Sequence, residues 1–183
     1  MKARQLAAWV VIITSAIGCS AKRAVSQASV PPPEITIRDG AIPNGCTSDD
    51  VVQTVMSFLS AYNSGDEKRL ANAFGSRFAW YSAWTGSGHF AAYNREALGA
   101  YFRQRHHQHE KQMLHRIVMS PSWDSSRVAL SIVLTIQSDD LNPPGTIMEV
   151  SGKAEVNCDD RTIFVWSSGL TPPSTAVPHY GGR

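Results

Sequence analysis

Val51, Val55, Phe58 and Tyr62 recur at helical spacing, with Val52, Met56 and Leu59 beside them, so the chain after residue 46 reads as an amphipathic helix. Its limits are marked as well. Thr47-x-x-Asp50 is a capping-box pattern with Asp49 and Asp50 at the positive end, and Asn63-Ser64-Gly65 stops the run. Asp66 caps a second, short helix carrying Leu70, Ala73 and Phe74. Arg77 to Ser82 reads as a strand and Gly86-Ser87-Gly88 as a turn. Asn94 caps a third helix, in which Leu98, Tyr101 and Phe102 share a face.

Beyond residue 112 the period changes to two. Met113, His115, Ile117 and Met119 are expected on one strand face, with Leu114, Arg116 and Val118 on the other. Val128, Leu130, Ile132, Leu134 and Ile136 alternate along a second strand, and Asn142-Pro143-Pro144-Gly145 breaks the loop after it. Met148, Val150, Gly152, Ala154, Val156 and Cys158 alternate again. Asp159-Asp160-Arg161 turns the chain, and residues 162–168 return as the last strand. Helices followed by an antiparallel meander give an α+β layout with the helices on one sheet face.

The N-terminus has a different pattern. Lys2 and Arg4 precede an apolar run from Leu6 to Ile17, the layout of a secretory signal too short to span a bilayer. Ala16-Ile17-Gly18-Cys19 resembles a bacterial lipobox, which makes Cys19 the expected lipidation site; plain secretion after Gly18 or Ala21 is the alternative. The organisation is then a signal at 1–18, a lipidated tether at 19–44, one domain at 45–171 and a flexible tail at 172–183. Pro31-Pro32-Pro33 and small polar residues mark the tether, in which Ile35-Thr36-Ile37 can add a short strand to the domain. The expected location is the cell envelope, with a lipid anchor as the only membrane attachment.

Charge narrows the partners. Without Lys2 and Arg4, the 17 basic residues fall level with the 15 acidic ones and no basic block remains, which argues against nucleic acid. With Cys19 lipidated, Cys46 and Cys158 are an even pair in an oxidising compartment, read as a disulfide, the alternative being two buried thiols.

Three segments resemble the nuclear transport factor 2-like superfamily, the cone fold shared with ketosteroid isomerases and SnoaL-like polyketide cyclases. They are Ala61-Tyr62-Asn63-Ser64-Gly65-Asp66, Ala73-Phe74, and the hairpin from Val156 to Ile163. The resemblance covers residues 46–170. It implies three helices on a curved antiparallel sheet, an apolar pocket between them, and a homodimer pairing through the sheet. It also implies a carboxylate base near the first strand of the enzymes, yet no Asp or Glu lies between Lys68 and Arg95. Enzymatic activity is therefore the weaker expectation.

The candidate chemistry is correspondingly sparse. His115 and His89 are the catalytic candidates, His115 being read either as a base or ligand donor on the inward face or as a satisfied core histidine. His106, His107, His109 and Glu110 have partial metal spacing but no His-Glu-x-x-His arrangement, and they read as a polar surface beside Arg103, Arg105 and Lys111. Neither a metal nor a cofactor is expected. Trp80, Tyr81, Trp84, Tyr101, His115 and Trp166 are the residues expected to line a pocket for a small apolar ligand. Three functions compete: a non-catalytic binder of such a ligand, an enzyme of lyase or isomerase type using His115 or His89, and a dimeric interaction module with a filled core.

Overall fold

Seven strands form one sheet, ordered β1-β4-β5-β6-β7-β2-β3, in the computed structural model, which describes residues 31–84 and 88–169. The strands are β1 (Glu34–Ile37), β2 (Phe74–Trp84), β3 (Gly88–Ala92), β4 (Lys111–Pro121), β5 (Arg127–Gln137), β6 (Ile147–Asn157) and β7 (Thr162–Ser168). The helices are α1 (Ser48–Ser64), α2 (Glu67–Asn72) and α3 (Arg95–His107). This is the expected α+β layout. The meander β4-β5-β6-β7 is antiparallel throughout, but β1 pairs with β4 and β2 with β7 in parallel, so the sheet as a whole is mixed.

The caps act where the sequence places them. Thr47 Oγ1 accepts from the Asp50 amide while Asp50 accepts from the Thr47 amide, closing a capping box on α1. Gly65 ends α1 at φ 71°, a left-handed turn that favours glycine. Asp66 and Asn94 cap α2 and α3 through their side chains.

Packing follows the two periods. Val51, Val55, Phe58, Leu59 and Tyr62 of α1 are buried, as are Val128, Leu130, Ile132, Leu134 and Ile136 of β5. Burying side chains of this size stabilises by about 1.5–3 kcal/mol each relative to leaving them exposed. Phe58 joins the layers, its ring 4.7 Å from Trp166 and 5.6 Å from Phe74. Cys46 and Cys158 form a disulfide with Cα atoms 5.5 Å apart, tying the start of α1 to the end of β6 across 112 positions of sequence.

The tether contributes the short strand expected of Ile35-Thr36-Ile37: β1 pairs with β4, Arg38 N–H donates to the Met119 carbonyl, and Ala41 is buried. Two expectations change. The first long strand runs from Phe74 to Trp84 and has an antiparallel partner in β3, which the sequence pattern did not signal. The faces of β4 also swap. A bulge between Leu114 and Arg116 lets Gln112 and Leu114 share the buried face with Ile117 and Met119, leaving His115 as the extra residue. Further irregularities in the β2–β7 and β6–β7 pairings bend the sheet around the helices.

Candidate functional site

Trp80 and Trp166 are register partners on adjacent parallel strands, both fully buried, with near-parallel rings 6.1 Å apart. Two residues further along each strand, on the same face, stand Ser82 and Ser168, again paired and again buried. Gly152 of β6 is opposite Ser168, and Phe90 of β3 is opposite Ser82. From α3, Tyr101 stacks its ring on Phe90 at 4.3 Å and approaches Trp80 at 5.8 Å.

The polar atoms of this patch are its distinctive feature. Trp80 Nε1, Ser82 Oγ, Trp166 Nε1 and Ser168 Oγ are all buried, and none has a hydrogen-bond partner among the described residues. Leaving such a group unpaired costs about 1–3 kcal/mol, and native folds keep very few. Here four fall on one strand pair, on the helix-covered face. Indole N–H groups only donate, whereas the hydroxyls can donate or accept, so the cluster is complementary to a molecule offering acceptor oxygens.

A second polar cluster lies at the C-terminal ends of α1 and α3. Glu110 Oε1 accepts from Tyr62 Oη and from Gln112 Nε2, both at 2.7 Å, while Oε2 accepts from Arg105 Nε at 2.5 Å. Arg105 also donates to Asp140 Oδ2 at 2.5 Å and to Ser138 Oγ at 3.0 Å. Burial, then the Glu110 charge, pushes the Tyr62 phenol well above its ordinary pKa. Burial acts to lower the Arg105 pKa, but Glu110 and Asp140 outweigh it and hold the guanidinium charged. Glu110 is thus a buried structural carboxylate, not part of the polar surface expected from its place in the histidine run.

The remaining sequence candidates disperse. Trp80, Tyr101 and Trp166 come together on one face of the sheet. Tyr81 alternates to the opposite face of β2, where its hydroxyl is 3.2 Å from that of Tyr93. The backbone of Trp84 ends β2, but its side chain is outside the described residues, as are Cys19, the Gly86-Ser87 part of the expected turn and the tail from residue 172. Because of the bulge, His115 is on the outer face, with Nε2 3.0 Å from Thr135 Oγ1. His89 is exposed on β3, opposite Ala83 and so on the face away from Ser82. His109 pairs with Asp139 at 2.7 Å, both exposed. Among the described residues no group of His, Cys, Asp or Glu is arranged to hold a metal ion. Ser82 and Ser168 went unnoticed in the sequence, although a signal exists: Trp-x-Ser occurs in both strands, and alternation puts each serine on the face of its tryptophan.

No protein-family model matches the chain, and no curated protein matches it by sequence. Solved structures do. The Orange Carotenoid Protein of Anabaena (Nostoc) sp. PCC 7120, determined with canthaxanthin bound, is similar at TM-score 0.53 and 18% identity, over 66% of this chain and 36% of that one. A protein of unknown function with a cystatin-like fold from Methylobium petroleophilum PM1 is similar at TM-score 0.52 and 11% identity, over 73% and 84% of the two chains. An NTF2-like protein from Burkholderia xenovorans LB400 gives TM-score 0.46 and 16% identity, over 67% and 90%. The first two of these likenesses bear on the fold, and on the fold alone.

Proposed function

We propose that this protein has the nuclear transport factor 2-like cone its sequence resembles, and that it binds a small, largely apolar molecule bearing acceptor oxygens, such as carbonyl groups, without transforming it. The observation that carries the reading is the set of four buried polar atoms without partners, on Trp80, Ser82, Trp166 and Ser168. Aromatic and aliphatic walls supply most of the affinity of such a site, and a few fixed polar groups orient the guest. The Orange Carotenoid Protein, 36% of which resembles this chain in fold, was solved with canthaxanthin, which gives the reading a parallel.

Catalysis has less support. A proton-abstracting base must be within hydrogen-bond reach of its substrate. Glu110 is already engaged by Tyr62, Gln112 and Arg105, and His115 and His89 are on the other side of the sheet. The setting we propose is the cell envelope, reached by the N-terminal signal and held by lipid on Cys19. The Cys46–Cys158 bond supports an oxidising compartment.

Native mass spectrometry of protein exported through such a compartment tests the function. Expected is an added mass that leaves on denaturation and is diminished when Ser82 and Ser168 are both replaced by alanine. A bare mass, together with no uptake from a panel of lipophilic ketones and esters, would overturn the reading.

A further inference from the structure

A groove of about 310 Å³ opens on the far side of α1, between that helix, α2 and the β6–β7 turn. Its polar lining is separate from the interior cluster, although the Phe58 ring beneath it packs on Trp80 and Trp166. Asp50, Gln53, Thr54 and Ser57 recur at i, i+3, i+4 and i+7, so one stripe of α1 is polar while Val51, Val55 and Phe58 are buried. α2 contributes Arg69 and Asn72, three residues apart and on one face. From the turn comes Arg161, held in the left-handed region at φ 55°, a conformation uncommon for a residue with a side chain. Asp160 Oδ1 fixes that turn by accepting from both the amide and the hydroxyl of Thr162.

The charges in the groove do not cancel. Arg161 Nη2 is 3.0 Å from Asp50 Oδ1, and the other oxygen of Asp50 accepts from the amide and hydroxyl of Thr47. One carboxylate is therefore shared between the cap of α1 and Arg161. Arg69 has no acidic partner among the described residues, which leaves the groove with one uncompensated guanidinium. Hydroxyl and amide groups surround it, and half-buried Ala73, backed by the buried Phe58 ring, makes its apolar floor. Guanidinium forks match the geometry of carboxylate and phosphate oxygens, and bonds to them are about twice as strong as neutral ones.

We propose that this groove is a second binding site, for an oxyanion carried on a small apolar stem, with Arg69 and Arg161 on the anion and the apolar floor against the stem. The shared chemistry is a carboxylate or a phosphate monoester. The full-length oxidised protein is titrated at low salt with phenyl phosphate, with phenylacetate and with neutral benzyl alcohol, while NMR follows the side-chain amides of Gln53 and Asn72. At least one anion is expected to produce saturable shifts below about 10 mM, and the alcohol none. Which anion binds more tightly identifies the headgroup. Arg69→Glu, a change at an exposed position, is expected to weaken binding roughly tenfold or more at an unchanged melting temperature. Equal shifts with the alcohol, no saturable shift with either anion, or undiminished binding in Arg69→Glu would each overturn the proposal.

Discussion

At the C-terminal ends of α1 and α3, the polar side chains of Tyr62, Arg105, Glu110, Gln112, Ser138 and Asp140 close on one another, whereas on β2 and β7 two indoles and two hydroxyls are buried without partners. Both clusters are shielded from water, so exposure does not distinguish them. Satisfaction does. In the first, both oxygens of Glu110 and three nitrogens of Arg105 are engaged, and the contacts join two helices, β4 and the loop after β5. Among the described residues, Gln112 Oε1 is the one buried atom left over in that network. In the second, no acceptor among the described residues meets the tryptophan N–H groups. A buried network that completes itself fixes a structure, and one that does not is complementary to something else.

The largest expected effect breaks the first cluster. Glu110→Ala leaves Arg105 buried without its principal counter-charge and should cost about 3–5 kcal/mol in urea unfolding. Replacing Arg105 and Glu110 together with Met and Leu should recover most of that loss, because the penalty belongs to the orphaned charge rather than to the missing pair. If the double variant were as unstable as Glu110→Ala, the network would be doing more than neutralising itself.

Tyr62→Phe is milder, removing one hydrogen bond to a carboxylate at an expected cost of about 1.5–3 kcal/mol. It also carries a pH signature. The folded protein holds the Tyr62 phenol protonated well above its ordinary value, so folded and unfolded chains bind this proton equally up to about pH 10. Above that, the unfolded chain releases the proton while the folded one retains it, and stability falls as pH rises. Tyr62→Phe should remove this part of the alkaline loss in urea titrations followed from neutral pH upward. An unchanged alkaline limb would show that other groups cause it.

The smallest effects belong to the second cluster and have the opposite sign. Ser82→Ala and Ser168→Ala each delete an unsatisfied hydroxyl, so the empty protein should be unchanged or stabilised by up to about 1 kcal/mol in thermal unfolding. Ligand binding should weaken in the same variants. Destabilisation beyond about 1 kcal/mol would mean that the hydroxyls already have partners within the fold.

The helices were legible because each depends on local chemistry. Thr47, Asp66 and Asn94 cap as their types dictate, Gly65 terminates, and the alternation of β5 carries through to burial without exception. What escaped depended on pairing. The bulge beside Leu114 inverts the alternation of β4, and its only sequence trace is a histidine on an otherwise apolar face. β3 is short and lies at the sheet edge, where Ala91 and Ala92 carry no alternation. Glu110 looked solvated because it follows three histidines, and only the fold brings Tyr62, Arg105 and Gln112 around it. The pocket aromatics were half legible. Trp80, Tyr101 and Trp166 are large enough to demand burial, but which neighbour shares their face follows from strand period, and that excludes Tyr81 and includes Ser82.

A crystal structure of the protein purified after export, without any added lipophile, tests the central claim most directly. The account predicts non-protein density on the helix-covered face of β2 and β7, with acceptor atoms within about 3.2 Å of Trp80 Nε1 and Trp166 Nε1 and of the two serine hydroxyls. Water alone at all four atoms, or protein acceptors turned to meet them, would contradict it, because the buried polar groups would then be satisfied without any guest.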